Sequence, residues 1–490
     1  MSLSLALNSA QTALSVTSQQ TAITARNITG ANDPAYARKT ANVATSGLGS
    51  TYIASIGRAQ DQALYTRMLE ARSDAAARTA HLDGLERLAQ TIGDPQDDFS
   101  VAGALGAFQN ALQMHADGPS DPILAGAVLG RAQDLAERLN LATKTVQAAR
   151  ATADGEMATS VDTINDLLAR FETVNRAVVA GTAAGTDVTD HLDTRAEILG
   201  ELSREIGVTT ITRRDNDMVI YTDSGVTLFE KTARPVTFER TFAYDAGIDG
   251  RAVFADGVPI TGPNATMAIE SGALFGHATL RDETSGVYQK QLDEIARGLV
   301  LATAETDQIN DPPILAAQAG LFTWDGGPAL PPGTTAIDNL SARIRVNPGV
   351  DPGQGGDLTA IRDGGINGAA YDYNPADAAS YSGRLQGLLG ALDASQPFDA
   401  TAGVNPDTTL ARFAAGSVGW LEAARKQADA EAAYQTTFLE RTQESLSNVT
   451  GVNLDEELAL MLELERSYGA SARIISAVDA MLASLLQAVR

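Results

Sequence analysis

From Met461 to the end of the chain, apolar residues recur at alternating spacings of three and four: Leu464, Tyr468, Ile475, Val478, Leu482, Leu485 and Val489, with Ser471 the one polar residue in register. A 3.5-residue repeat commits a segment to an α-helix that packs against another helix. Between Arg473 and Arg490 the sole charge is Asp479, so little of this helix is made for water and it needs neighbours on more than one side. Its start is equally legible. Asn453 stands three residues before Glu456, and Asp455, Glu456 and Glu457 crowd the first turn, which is an N-cap with carboxylates at the positive helix end.

The first residues repeat the theme more weakly. Leu3, Leu7, Ala10, Leu14, Thr17, Thr21, Thr24 and Ile28 keep the same register, and no charge precedes Arg26. Three threonines make a poor core, and the Ser, Thr, Asn and Gln content gives middling helix propensity, so this helix is expected to be disordered or frayed in a free monomer and to need a partner helix. The C-terminal seam is the natural one, its Leu, Ile and Val facing small Ala and Thr. Pairing the two brings the chain ends together and makes everything between them an insertion. The alternative is two amphipathic helices, each on its own core, which the near absence of charge on both argues against.

A length of 490 residues allows about three domains. No uninterrupted apolar run reaches the length of a membrane span. The N-terminus lacks a basic leader, and Asn8, Gln11, Thr12 and Ser15 interrupt any apolar stretch, so it does not read as a secretory signal. Cysteine is absent, which removes disulfides and thiolate chemistry. The net charge of −25 belongs to the body, since residues 1–45 carry +2 and residues 451–490 carry −3. Such a surface repels nucleic acid.

Along the body, a turn-rich passage at 27–43 opens into an extended segment to Arg58, followed by Ala-rich helices over 60–92 and 101–115 broken by Gly93, Asp94 and Pro95. A long periodic pattern at 123–180 has Asn175 in its seam, where a buried Asn fixes register. That helix is expected to end at Gly181, and Asp190 to cap the next. Between Val208 and Ile260 the period changes to short β-branched and aromatic runs (VTTITRR, MVIYT, VTLFE, PVTFERTFAY, VPI) separated by turns, an antiparallel insertion. Helix is expected again over Tyr288 to Ile309, then a Gly/Pro/Asp-rich region at 311–378 with one strand at Ala342 to Val346. Helices resume near Ala379 and Leu410. The fold class is mainly α with a β-rich insertion: paired terminal helices as an inner coiled-coil domain (1–45 and 451–490), a helical middle domain (46–206, 266–310 and 379–450), and outer parts at 207–265 (β) and 311–378 (loops and short strands).

Chemistry is sparse. His81, His115, His191 and His277 are scattered without a zinc motif, and there is no phosphate-binding loop. The glycines of DPGQGGD lie in Pro-rich coil and read as turn. Asp455, Glu456 and Glu457 read as capping groups rather than metal ligands, and Trp324 and Trp420 as isolated anchors. No catalytic site, cofactor or metal is expected. What stands out is unsatisfied, weakly charged helix at both ends, which points to assembly.

The sequence resembles the axial proteins of the bacterial flagellum, and within them the hook-associated proteins of the hook–filament junction. Asn27-Ile28, Asn32, Pro34, Tyr36 and Arg38 are similar to the N-terminal rod and hook signature, with departures at Gly30, Asp33, Ala35 and Ala37. Gly451-Val452-Asn453-Leu454-Asp455-Glu456-Glu457, then Tyr468 and Ala470 through Arg473 to Ile475, resemble the C-terminal signature shared by several axial proteins. Two internal segments resemble the junction branch: His191-Leu192-Asp193 through Gly207-Val208, and Gly272 through Gly276 with Arg281-Asp282 and Gln291 through Ala296.

The resemblance implies a non-enzymatic structural adaptor, exported unfolded without a cleaved signal, transiently cytoplasmic and then extracellular at the junction. It implies as partners further copies in a ring-like layer, hook protein, the next filament-side hook-associated protein, and an export chaperone on the C-terminal helix. The candidate assembly residues are Leu7, Leu14, Ile28, Leu464, Tyr468, Ile475, Val478, Leu482 and Leu485. Another axial protein of hook or distal rod is the nearest rival reading, and an enzyme carried on an axial scaffold is the rival from a different class.

Overall fold

Helix α1, Leu3–Gly30, opens the chain and passes it into an antiparallel hairpin of β1 (Lys39–Thr45) and β2 (Thr51–Arg58). The computed structural model describes residues 3–33, 35–46, 50–92, 100–333 and 336–488. Helices α2 (Gln62–Ile92), α3 (Val101–Asp117), α4 (Pro122–Ala184) and α5 (Thr189–Glu205) follow. Two small antiparallel sheets come next: β3 (Val208–Thr212), β4 (Met218–Thr222) and β5 (Thr227–Phe229), then β6 (Val236–Thr237), β7 (Phe254–Ala255) and β8 (Val258–Pro259). Helix returns as α6 (Ala273–Ala278), a π-helical turn, and α7 (Ser285–Ala302). The loop-rich region holds the pair β9 (Phe322–Thr323) and β10 (Arg345–Val346) with short helices α8 (Leu340–Arg343) and α9 (Thr359–Asp363). Helix α10 (Gly383–Asp393), the pair β11 (Ser395–Pro397) and β12 (Asp407–Thr409), and the long helices α11 (Leu410–Thr450) and α12 (Leu454–Ala488) complete it.

Helix α4 organises the body. Its 63 residues, at 1.5 Å each, span about 95 Å. The first half contributes Val128, Leu135, Leu139 and Val146 to one apolar core, shared with α3, α7, α10, α11 and the loop-rich region. The second half contributes Met157, Ile164, Leu168 and Phe171 to another, shared with α5 and both three-stranded sheets. Between the two cores α4 carries a buried ionic cluster. Asp154 Oδ1 lies 2.8 Å from Arg281 Nη1, both side chains fully buried, and accepts from Tyr244 Oη at 2.7 Å, while Oδ2 accepts from Thr241 N at 2.9 Å. Burial and that hydrogen bond push the Tyr244 phenol up to about 12.

Several local expectations are corrected. Helix α4 does not stop at Gly181; it runs through that glycine to Ala184, and Gly185 at φ 71° ends it because that left-handed conformation suits glycine. Asp190 does not cap α5. Asp187 accepts from Thr189 N at 3.0 Å, and Asp190 in the first turn pairs with Lys39. The helix expected over Tyr288–Ile309 begins at Ala273 and stops at Ala302; Asp307 instead gathers the N–H groups of Ile309, Ile314 and Leu315 and folds that stretch into a loop. Of the strand expected at Ala342–Val346 only Arg345–Val346 pairs, since Leu340–Arg343 is a helical turn capped where Asp293 accepts from Asn339 N and Ser341 N. In PVTFERTFAY only Val236–Thr237 joins a ladder, Thr241 being drawn to Asp154 instead. Helix α10 starts at Gly383 rather than near Ala379, where Ala378 O and N both bond Asn374. Gly93, Asp94, Pro95 and Val489 lie outside the described residues.

Candidate assembly surface at the paired terminal helices

Helices α1 and α12 pack along their length, and the chain leaves α1 beside the start of α12, so they run antiparallel. On α1 the seam is Ala10, Thr17 and Thr24, buried, with Leu7, Leu14, Thr21 and Ile28 half-buried beside them. Thr17 and Thr21 donate their hydroxyls to Ala13 O and Thr17 O on their own helix, both at 2.9 Å, which satisfies the oxygens within the helix. Val16, Ile23 and Asn27 are buried as well, and the β1–β2 hairpin packs on α1.

On α12 the buried residues recur every seven positions, as Glu457, Leu464, Ser471 and Val478, flanked by half-buried Met461, Ile475 and Leu482. Two expected seam residues are not in it. Leu485 is 52% exposed, because α1 has 28 residues against 35 in α12 and leaves about two turns uncovered. Tyr468 is 46% exposed, since α1 covers only one side of α12 and a side chain at the edge of the seam stays in solvent. Leu458, Leu462, Ile474 and Met481 also point outward, each at least 50% exposed. Although no uninterrupted apolar run is present, one stretch of the α11–α12 segment is long and apolar enough by hydropathy to cross a bilayer.

The N-terminal signature residues close a polar network around this pair. Asn27 is buried; its Oδ1 accepts from Lys39 N at 2.9 Å and Tyr36 Oη at 3.0 Å, and its Nδ2 donates to Lys39 O at 2.9 Å. A single side chain thus turns the chain from α1 into β1. Burial, then the charges of Asp193 and Asp190, push the Tyr36 phenol up to about 12. Arg38 Nε donates to Glu457 Oε1 at 2.7 Å, its Nη1 lies 3.3 Å from Glu456 Oε2, and its backbone N–H donates to Thr450 O at 2.8 Å. Asn453 Oδ1 accepts from Asp455 N at 3.0 Å and Glu456 N at 3.4 Å, the cap read from its spacing. Gly451 is required where it stands, for a Cβ there would lie 2.5 Å from Ser447 O.

Gly30, a departure from the signature, has a local reason: the Tyr36 ring lies where a Cβ would sit, at 2.6 Å. Asn32, Asp455 and Arg473 are exposed, outside the network, and Pro34 lies outside the described residues. Sequence reasoning did not single out Lys39, whose ammonium is buried between Asp190 and Asp193, or Glu457 as the partner of Arg38. The available signal was a Lys beside the signature Arg at a strand start, where a charge has to be paired. Burial also lies behind the internal segments. A Cβ on Gly272 would meet Ile206 Cα at 2.5 Å, and one on Gly276 would meet Ala77 O at 2.2 Å, so both permit close backbone approach.

Comparison with known proteins finds flagellar axial proteins. Residues 85–308 match the family described as "Flagellar hook-associated protein FlgK helical domain", and residues 443–488 match "Flagellar basal body rod FlgEFG protein C-terminal". Flagellar hook-associated protein 1 of Bacillus subtilis is 20% identical over 406 residues, which is 79% of this chain and 76% of that relative. The Salmonella typhimurium protein of the same name is 24% identical over 240 residues, 46% of this chain and 42% of its own length, so that match spans less than half of either. In fold, the chain is similar to the flagellar hook junction protein FlgK from Burkholderia pseudomallei, with a TM-score of 0.56 at 14% identity, covering 78% of this chain and 99% of that one.

Proposed function

We infer that this chain, a member of the flagellar hook-associated protein 1 family, is a structural component of the bacterial flagellum that joins hook to filament. The observation that carries the reading is the helix pair α1–α12, which buries one apolar seam and leaves a second apolar face of α12 open to further helices. Proteins placed in series along an axis need such faces, because each subunit is covered only when its neighbours arrive.

The inner unit consists of residues 1–45 and 451–490, extended by the rest of the β1–β2 hairpin to Arg58. Around it stand the helical middle parts (59–206, 266–310 and 379–450) and the outer parts at 207–265 and 311–378. Leu7, Leu14, Ile28, Leu464, Ile475, Val478 and Leu482 hold the helix pair, and Tyr468 and Leu485 are contact positions for neighbours. Further copies in a ring-like layer, hook protein and a filament-side partner cover the open face. An export chaperone covers it in the cytoplasm before type III export, and the terminal helices order fully on assembly, offsetting their conformational entropy with buried apolar area. Its role is non-enzymatic.

The test is incorporation. Leu482→Asp places a charge at a half-buried seam position, and is expected to leave the body folded by circular dichroism while abolishing assembly onto purified hooks. Normal incorporation of that variant would sink the reading.

A further inference from the structure

Among the described residues, the inner unit and the body share no apolar core. Neither of the two large cores contains a residue of α1, β1, β2 or α12. Beyond backbone bonds at the crossings, such as Arg38 N–H to Thr450 O, the side-chain bonds described between the two parts are ionic, with Lys39 and Asp193 each serving two partners. Asp187, Asp190 and Asp193 stand three residues apart at the start of α5. Arg26 of α1 reaches Asp187 at 3.5 Å, Lys39 of β1 reaches Asp190 and lies 3.2 Å from Asp193, and Arg58 of β2 reaches Asp193 at 2.6 Å.

Residues 1–58 contain four bases; three go to this aspartate ladder and the fourth, Arg38, goes to α12. The ladder has the helix N-terminus behind it, which favours its charges. The Lys39 hydrogen bond holds the Asp190 carboxyl below the usual carboxylate range. Beside these pairs lies a cleft of about 800 Å³, walled by Ala35 and Tyr36 on the inner unit and by Tyr65, Met68, Leu199 and Met218 on the body. The chain crosses between the parts twice, at Ala59–Asp61 and at Gly451–Asn453, neither of which is helix or strand.

We propose that Arg26, Lys39 and Arg58 on one side and Asp187, Asp190 and Asp193 on the other form an ionic latch that sets the angle between the terminal-helix unit and the body. Opening the latch swings the unit about the two crossings and widens the cleft, with both parts remaining folded. Two parts fused by a common apolar core would have a fixed angle; two parts joined by ion pairs across a cleft have an angle that charge controls. The inference stands apart from the assembly reading, since it concerns the isolated chain.

The natural absence of cysteine makes the test clean. Ala54→Cys on β2 and Ala169→Cys on α4, both exposed, carry spin labels for pulsed dipolar distance measurement on the full-length monomer. The unaltered latch is expected to give one narrow distance distribution. Asp193→Asn, which removes two of the ion pairs at constant shape, is expected to widen it about twofold with an unchanged circular dichroism spectrum, because Lys39 and Arg58 lose their shared anion. Removing the unrelated surface pair Arg170–Glu201 as Arg170→Gln is expected to leave it narrow. Should Asp193→Asn fail to fold, Arg26→Asp at the exposed rim provides the widened state, and adding Asp187→Arg is expected to narrow it again. A distribution unchanged in Asp193→Asn, or for the rim variant one that the charge swap does not narrow, overturns the latch.

Discussion

Arg38 and Glu457 are 419 positions apart in the chain and 2.7 Å apart in the fold. The guanidinium is about one-third exposed, whereas the carboxylate is buried with only Oε1 bonded. Removing the arginine leaves a buried carboxylate without its cation. Arg38→Ala is expected to destabilise the start of α12 by on the order of 2 kcal/mol, the partial exposure of Arg38 reducing the fully buried value. Hydrogen exchange over residues 454–464 should accelerate while α3 and α7 remain protected; equal acceleration everywhere would contradict a local role.

Asn27 offers a second probe of the same corner. Its three hydrogen bonds include both backbone groups of Lys39, so Asn27→Leu orphans a donor and an acceptor. A loss of about 2–4 kcal/mol in the unfolding of the terminal unit is expected from two unsatisfied buried groups. A chemical-denaturation midpoint within error of the parent would show that water replaces the side chain.

The seam and the open face of α12 separate by substitution. Leu464 is 6% exposed, and Leu464→Ala should cost about 2–4 kcal/mol in the monomer. Leu485→Ala and Tyr468→Ala, both on solvent-facing positions, should fall within about 0.5 kcal/mol of the parent. Thermal unfolding of the three variants, followed by an incorporation assay, should reverse their order of importance for the two exposed residues.

A pH dependence is written into α7. Burial pushes the Asp293 carboxyl up to about 6, although Ser341 Oγ, Ser341 N, Asn339 N and Gln289 Nε2 all donate to it. The ordinary value is about 4, so the native state binds this proton more tightly than the unfolded chain. The group therefore stabilises the fold relative to the ionised state below about pH 4, and this contribution is lost as pH rises to about 6, a difference of about 3 kcal/mol. Asp293→Asn should flatten that segment of the stability profile; a difference between parent and variant that is constant from pH 4 to 7 would show that Asp293 titrates normally.

The cluster between the two cores makes the last prediction. Asp154→Ala leaves Arg281 fully buried with Asp282 alone, and is expected to cost about 3–5 kcal/mol. It also frees Thr241 N and Tyr244 Oη, so limited proteolysis should cut between Arg240 and Arg251 before any helix is cleaved.

The terminal helices were legible because a 3.5-residue repeat is a local signal, and so was the Asn453 cap, which acts over three residues. The edges of the seam were not: that Tyr468 and Leu485 stand in solvent depends on the length and side of α1, which periodicity within α12 does not contain. The polar network was legible in half. Arg38 and Asn27 belong to a signature, but Glu457 becomes the neighbour of Arg38, and Asp193 that of Lys39 and Arg58, only after long intervening stretches of chain have folded. The loop-rich region hid its contribution for another reason. Leu321, Phe322, Ile344 and Val350 join the first core from segments without helical or strand period, held in place by the carboxylates of Asp293 and Asp307 that collect backbone N–H groups.

Helix α4, gripped by both cores and pinned between them by Asp154 and Arg281, has the mechanics of a beam clamped at two points. A force applied to the outer sheets has no soft segment of α4 in which to be absorbed. It travels as rotation of the whole body, and under the proposed latch the compliance of the molecule lies where the body meets its terminal helices. Load is then carried by the stiff span, and misalignment is taken up at the joint.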